Sequence, residues 1–338
     1  MTGRPTRREA VAAALGGASL CAAGLGVRQA LARRRQPKPL VSIVRASSYR
    51  EDLTGKIRSI LREHKVAVRG KRVVLKPNLV EFDPASSINT HPRLVAAAWE
   101  AFHSMGAASV AIAEGPGHRR NTLEMAEAAG YFSSIANFED VFTDLNLDDV
   151  SRIKLERPRS ALRSLYLPNT ALAADLLVSM PKMKTHHWVG ATLSMKNFFG
   201  LVPGAIYGWP KNILHWAGIP ECIVDLHSVF ANAHDAFAVR SPRSFAIVDG
   251  VVGMEGNGPI QGKPKAAGVL VAGADLVAVD ATCCRVMGID PALVSYLRLA
   301  AARGQTEEAR VQQIGEPVRA VRTNFELIPP FRALRWNG

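Results

Sequence analysis

Six residues, Asp175-Leu-Leu-Val-Ser-Met180, form a short apolar run that stops at Pro181. A run of that length bounded by proline reads as a buried strand reaching the end of its sheet, because both faces are covered and proline cannot donate the next ladder hydrogen bond. Lys182, Lys184, Thr185, His186 and His187 then put five polar or titratable side chains into six positions. Residues 189–199 are expected to wind as a helix, with Thr192 and Lys196 on one face at i, i+4 spacing. Strand, polar loop and helix in that order point to an α/β fold, in which ligands bind in the crevice beyond the carboxyl ends of the strands.

The rest of the chain repeats the alternation. Strands are expected at 40–45, 72–75, 109–113, 245–248 and 269–272, with shorter ones near Val141 and Leu165. Between them, Leu53, Ile57, Ile60 and Leu61 lie on one face of a helix. Pro92 and Gly106 bracket a second helix, and Thr122 and Gly130 a third, with Thr122 as the expected cap. Further helices are expected at 221–233 and from Asp275, its cap, to Met287. Residues 249–264 read as a glycine-punctuated loop carrying Glu255, and residues 203–220, dense in Gly, Trp and Pro, as a rim or lid around Tyr207, Trp209 and His215. The fold class is therefore α/β, a layered and mostly parallel sheet with helices on both faces, and a second lobe is a candidate after about residue 203. No internal repeat of the solenoid or propeller kind recurs along the chain.

The segment 1–32 reads as an address rather than as part of the fold. Thr6-Arg7-Arg8 precedes an uncharged stretch from Ala10 to Val27 rich in Ala and Gly, the pattern of a twin-arginine export signal. Ala30-Leu31-Ala32 supplies an A-x-A cleavage site, so residues 33–338 form the mature domain. Retention as an anchor is the alternative; the uncharged stretch would reach about 27 Å as a helix, just short of a comfortable span. The expected location is periplasmic, or anchored and facing the cell exterior, and the export machinery is the expected partner. Four arginines and one glutamate fall in this leading segment, leaving +10 of the net charge of +13 on the rest. That charge is dispersed, with no aromatic-interleaved stripe, which argues against nucleic acid and leaves a solvated basic surface, with peripheral contact to anionic lipid next.

The segments PKMKTH and GATLSMKNFFG, together with KPNLV at 76–80, IVDGVVGMEGNGPIQG at 247–262 and VAVDATCCRVMG at 277–288, closely resemble the domain-of-unknown-function 362 family. The resemblance runs in the same order over about residues 40–300. It implies an α/β fold and no assigned reaction. Many members look like fusions to a ferredoxin-type iron–sulfur module. This chain has only Cys21, Cys222, Cys283 and Cys284, with no C-x-x-C, so no iron–sulfur cluster is expected. At the level of fold the family also resembles the nickel-pincer lactate racemase, which uses lysine and histidine around an organometallic cofactor; no motif carries over residue by residue.

Lys76 and Asn78, Glu114, the 182–187 group, and Asp249 with Glu255 each fall just beyond an expected strand, and parallel strands would bring them to one rim. Three uses of such a rim stay open. Acid/base chemistry on a small anionic or carbonyl-bearing molecule would use Lys182 or Lys184 to position the anion and His186, Glu114 or Asp249 as base. Metal binding would draw on His91, His186, Glu114 and Asp249. Grip without chemistry would make the chain a periplasmic binding module. The candidate catalytic residues are Lys184, His186, Glu114 and Asp249; the candidate cofactor-binding residues are Lys76, Asn78, Lys182, Thr192, Lys196 and Asn197. The favoured reading is an exported enzyme carrying out a cofactor- or metal-assisted transformation, redox chemistry included, of a small anionic molecule. The adjacent Cys283 and Cys284 sit in an apolar helix and are expected to be buried packing. Ser179 and Ser194 lack a G-x-S-x-G context, so serine hydrolysis is unsupported.

Overall fold

The computed structural model describes residues 38–231, 243–301 and 305–338. Pro39–Gly338 forms one compact unit. The proposed export signal lies outside the described residues.

Twelve strands are formed among the described residues: β1 (Leu40–Arg45), β2 (Arg72–Pro77), β3 (Ser109–Glu114), β4 (Phe142–Asp144), β5 (Val150–Lys154), β6 (Ser164–Pro168), β7 (Leu176–Met180), β8 (Lys182–His186), β9 (Gly190–Thr192), β10 (Ser244–Asn257), β11 (Gln261–Gly273) and β12 (Gln312–Gly315). The main sheet runs β12-β1-β11-β10-β7-β2-β3-β4, with β8 on β10 and β9 on β8; β5 and β6 pair separately. From β10 to β4 the neighbours are parallel, and β11 is antiparallel to both β10 and β1.

Both faces of this sheet are dry. In β2, β7, β10 and β11 successive apolar residues alternate between two cores: Val73, Leu75, Leu176, Val178, Phe245, Ile247, Leu270 and Ala272 face one, and Val74, Leu177, Ala246, Val248, Val269 and Val271 the other. The helices Leu53–Glu63 and Pro92–Ser104 cover the first face with their apolar stripes, and Ile219–Phe230 and Leu276–Val286 the second. Local chemistry sets their starts. Asp52 accepts from Gly55 N at 2.7 Å, Pro92 occupies the first turn of its helix, and Asp275 accepts from Ala278 N at 3.0 Å. The third helix is Thr122–Ala128, but its cap is Asn121 rather than Thr122, since the Asn121 amide oxygen accepts from Leu123 N and Glu124 N. Thr122 instead donates to Asp144 at 2.6 Å. Cys283 and Cys284 are both fully buried, and burial pushes both thiols well above the usual range.

The structure corrects further expectations. Lys182–His186 is a strand, not a loop: past Pro181 the chain resumes pairing with β10 as β8 and turns back through β9. The helix expected over residues 189–199 is accordingly reduced to Ser194–Asn197 and a 3₁₀ turn, Phe198–Leu201, so Thr192 is a strand residue and does not share a helix with Lys196. Residues 249–264 are not a loop either, because β10 runs on to Asn257 between β8 and β11, and both partners satisfy its backbone. A Cβ at Gly253 would stand 2.5 Å from Met183 O, so that glycine permits the close approach of β8. Finally, among the described residues no second lobe begins near residue 203, since β10, β11 and β12 all join the one sheet.

Candidate functional site

β2, β3 and β7 end side by side, and beyond their ends lies a cavity of about 340 Å³. Five lysines line it: Lys76, Lys182, Lys184, Lys196 and Lys211. They fall into two kinds.

Lys76 and Lys182 are held by carboxylates. The Lys76 ammonium donates to Glu114 at 2.6 Å, to Pro77 O at 2.9 Å and to Asn197 Oδ1 at 3.2 Å, with no part of the lysine exposed. Glu114 is filled from the other side by Leu79 N at 3.0 Å and Gly115 N at 2.9 Å. Gly200 packs directly over this pair, where a Cβ would come within 2.0 Å of Glu114 Oε1 and 2.4 Å of Lys76 Nζ. Lys182 donates to Asp249 at 2.7 Å, to Tyr49 OH at 3.0 Å and to Val252 O at 3.0 Å. Asp249 also accepts from Tyr49 OH at 2.8 Å and His91 N at 2.9 Å. All four carboxylate oxygens of the two pairs therefore have partners. For both lysines burial pulls the pKa down, and the bonded carboxylate opposes the pull.

Among the described residues no carboxylate pairs with the other three lysines. Lys184 donates to two backbone carbonyls, Ile88 O at 3.0 Å and Pro259 O at 3.2 Å. Lys211 donates to Asn146 Oδ1 at 3.1 Å and to Val202 O. Lys196 stands over the Phe199 ring, 3.6 Å from its centroid. Burial, reinforced by neighbouring lysines at Lys184 and Lys196 and opposed by Glu114 at Lys211, brings Lys184 down to about 7, Lys196 to about 7 and Lys211 to about 7. Amines whose ordinary value is about 10.4 thus exchange protons around neutrality. His186 is buried and kept neutral by that burial and by the cations around it. Its Nδ1 accepts from Trp188 N at 3.0 Å, which leaves the ring proton on Nε2. His187 donates through Nδ1 to Gly258 O at 2.7 Å. Burial lowers His215, on the helix Asn212–Trp216, to about 4. Asn78 Oδ1 is buried without a hydrogen-bond partner and lines the same space.

Lys76, Asn78, Glu114, Lys182, Lys184, His186, Thr192, Lys196 and Asn197 all line the cavity. Asp249 stands behind Lys182 rather than on the cavity wall, and lies within β10 rather than past its end. Glu255 points elsewhere, to Lys265 and Glu326 N. His91 stacks on Tyr49 with centroids 3.7 Å apart, and its Nδ1 accepts from Arg93 N at 3.2 Å, so it too is committed away from the cavity. Among the described residues no group of three or more His, Cys, Asp or Glu is arranged to hold a metal ion, and the set His91, His186, Glu114 and Asp249 is not one. The 203–220 segment does close the site, through Pro210, Lys211 and His215.

Three contributors escape a reading of the sequence. Tyr49 lies far from every motif, and only the fold brings it to Lys182 and Asp249. Lys211 sits among Trp and Pro residues, where a lone lysine gives no pattern. Asp280, in a helix that reads as plain packing, accepts from Ser194 N at 2.8 Å and Met195 N at 3.1 Å, from Tyr296 OH at 3.2 Å and from the Ser194 hydroxyl. It therefore clamps the start of the short helix that presents Lys196 and Asn197.

A model described as a domain of unknown function, DUF362, matches residues 73–285. The chain belongs to the DUF362 family. The matched segment begins in β2 and ends in the helix Leu276–Val286, so it contains all five cavity lysines, while Tyr49 and β12 lie outside it. This DUF362 chain is 28% identical over 269 residues to a thylakoid-associated protein of Synechocystis sp., covering 75% of this chain and 76% of the relative. Among solved structures it is similar to the lactate racemase apoprotein of Thermoanaerobacterium thermosaccharolyticum, with a TM-score of 0.45 and 15% identity, over 75% of this chain and 58% of that one. The match thus spans less than two thirds of the racemase.

Proposed function

We propose that the chain is an enzyme that binds a small anionic organic molecule in the lysine-lined cavity and transforms it by proton transfer among Lys184, Lys196 and His186. The observation that supports this most directly is the charge count at the cavity: five lysines meet two carboxylates, and both carboxylates are consumed in ion pairs. Buried amines in excess of their counterions lower one another's proton affinity unless an anion joins them. In this reading Glu114 and Asp249 position Lys76 and Lys182 rather than act as bases. Lys184 and Lys211 grip the anion, Asn78 Oδ1 takes a ligand hydroxyl or amine, and the neutral His186 donates from Nε2. The described residues do not fit a metal ion held by protein side chains. An organic cofactor bearing a phosphate or carboxylate would be held by the same lysines, and would supply redox or electron-sink chemistry that the side chains lack.

The test is ligand-dependent melting at pH 7 with inorganic phosphate and pyruvate as probes, on the parent and on Lys184→Met. The parent should gain melting temperature with each anion, and Lys184→Met should weaken anion affinity at least tenfold with its ligand-free melting temperature unchanged or slightly higher. A parent that ignores both anions, or a variant that loses much of its ligand-free stability, would show that the cluster is structural. Exchange of the pyruvate methyl protons with deuterated solvent separates an enzyme from a binding module, since only the enzyme moves a proton.

Export completes the proposal, supported by the pattern of segment 1–32, and the net charge of +10 on the rest together with a relative named as thylakoid-associated supports peripheral contact with anionic lipid. Replacing Arg7 and Arg8 by lysine should strand the chain in the cytoplasm, because lysine lacks the planar guanidinium fork. Cell fractionation with and without a high-salt wash reads both claims: unchanged export of the variant overturns the first, and a parent that stays soluble at low salt overturns the second.

A further inference from the structure

The five cavity lysines differ in how far their amines are committed. Two are in ion pairs, and two, Lys184 and Lys211, each donate to two oxygen acceptors. Lys196 makes no hydrogen bond to any described residue; its amine has only the face of Phe199 beneath it and the cavity in front. The geometry points to Lys196 as a nucleophile that forms a Schiff base with the carbonyl of an anionic oxo compound, a 2-oxo acid or an aldehyde bearing phosphate.

Three features of the site suit that chemistry. First, nucleophilic attack needs a free lone pair, and Lys196, crowded by Lys76 and Lys211, falls to about 7 and is neutral in a large fraction of molecules at neutral pH. Second, the amine is held in place from behind. Lys196 belongs to a single helical turn whose first two backbone amides are clamped by Asp280, and the next residue, Asn197, donates to Lys76 O at 2.9 Å and Ser179 Oγ at 3.1 Å. Third, the neighbours divide the remaining work: Lys184, electrostatically coupled to Lys196, is tethered where it can hold a carboxylate, and His186 feels the same amine.

In the first step the Lys196 lone pair forms a C–N bond as the carbonyl π pair moves to oxygen, which takes a proton, while the nitrogen gives one up, leaving a neutral carbinolamine. That hydroxyl then leaves as water, with its extra proton supplied by a neighbouring ammonium, as the nitrogen lone pair forms the C=N bond. The nitrogen still bears its hydrogen, so the product is an iminium that withdraws electrons from the adjacent carbon, and a proton there departs more readily. No oxidant or reductant is consumed.

This inference rests on the anion-binding reading, and the experiment separates the two. The full chain is incubated with pyruvate, reduced with borohydride, digested and mapped by mass spectrometry, alongside a melt with pyruvate and with phosphate and the variant Lys196→Gln. The expected result is a reduced pyruvyl adduct on Lys196 in stoichiometric excess over any other lysine, absent from a Lys196→Gln protein that still melts at the parent's ligand-free temperature. Stabilisation by pyruvate without a trapped adduct, or an adduct centred on Lys184 or Lys211, overturns the inference and leaves anion binding intact. No stabilisation by either anion and no adduct overturns both. If Lys196→Gln fails to fold, trapping on Lys196→Arg decides the matter, since arginine keeps the charge and cannot form the adduct.

Discussion

Asp249→Ala is expected to lower the free energy of unfolding by about 3 to 5 kcal/mol, the usual result of stranding one member of a buried ion pair. Three donors converge on that carboxylate: the Lys182 ammonium at 2.7 Å, Tyr49 OH at 2.8 Å and His91 N at 2.9 Å. Removing it leaves Lys182, which is 1% exposed, with only Tyr49 OH and a backbone carbonyl as partners. Asp249→Asn keeps acceptor geometry and should cost less, about 1 to 3 kcal/mol. The double variant Lys182→Met with Asp249→Leu removes both charges together and should recover most of the loss. Urea denaturation with a constant m-value measures all three. A single-variant loss under about 1 kcal/mol would mean that water or a shifted side chain reaches Lys182, and that the pair is not the structural support of the site.

Between pH 7 and about 8.5 the ligand-free protein should become more stable, while the stabilisation given by a bound anion shrinks. The sign follows from three lysines against one carboxyl, Asp280, which burial raises to about 7 and which opposes the trend only near pH 7. Lys184, Lys196 and Lys211 titrate at about 7 in the folded chain and at about 10.4 when unfolded, so in this window the unfolded state holds protons that the folded state has lost. Stability rises with pH wherever the unfolded state binds more protons, by up to about 1.4 kcal/mol per pH unit for each such lysine. The anion needs those amines protonated, so its increment falls over the same interval. Above about 8.5 the rise slackens because burial raises the thiols, Cys222 to about 11 and Cys283 and Cys284 well above their ordinary value, and thiols that ionise only on unfolding then favour the unfolded chain. Melts at several pH values with and without phosphate test the pair of trends. A ligand-free melting temperature that falls from pH 7 to 8.5 would show that these lysines remain charged, and would remove the basis for proton exchange at the site.

Much of this architecture is legible in the amino-acid order because it rests on short-range physics. The strands at 40–45, 72–77 and 109–114 and the helices from Leu53, Pro92 and Asp275 are local consequences of apolar period and caps, which no distant partner has to supply. The gathering of Lys76, Glu114 and the 182–187 group also follows from strand ends, since parallel neighbours place those ends on one side of a sheet.

What the tertiary structure decided is how those side chains are spent. Residues 182–186 and 249–257 look like loops in isolation because Lys, His and Gly are poor strand formers, yet each becomes a strand once the other lies beside it and takes up its hydrogen bonds. The same packing set Lys182 against Asp249 and Tyr49, residues 67 and 133 positions away, and Lys76 against Glu114, while leaving Lys196 without a hydrogen-bond partner among the described residues. Local sequence determines which residues reach the end of the sheet. Which lysine carries a counterion and which stays free depends on contacts between segments far apart in the chain, and on a burial that no residue creates for itself.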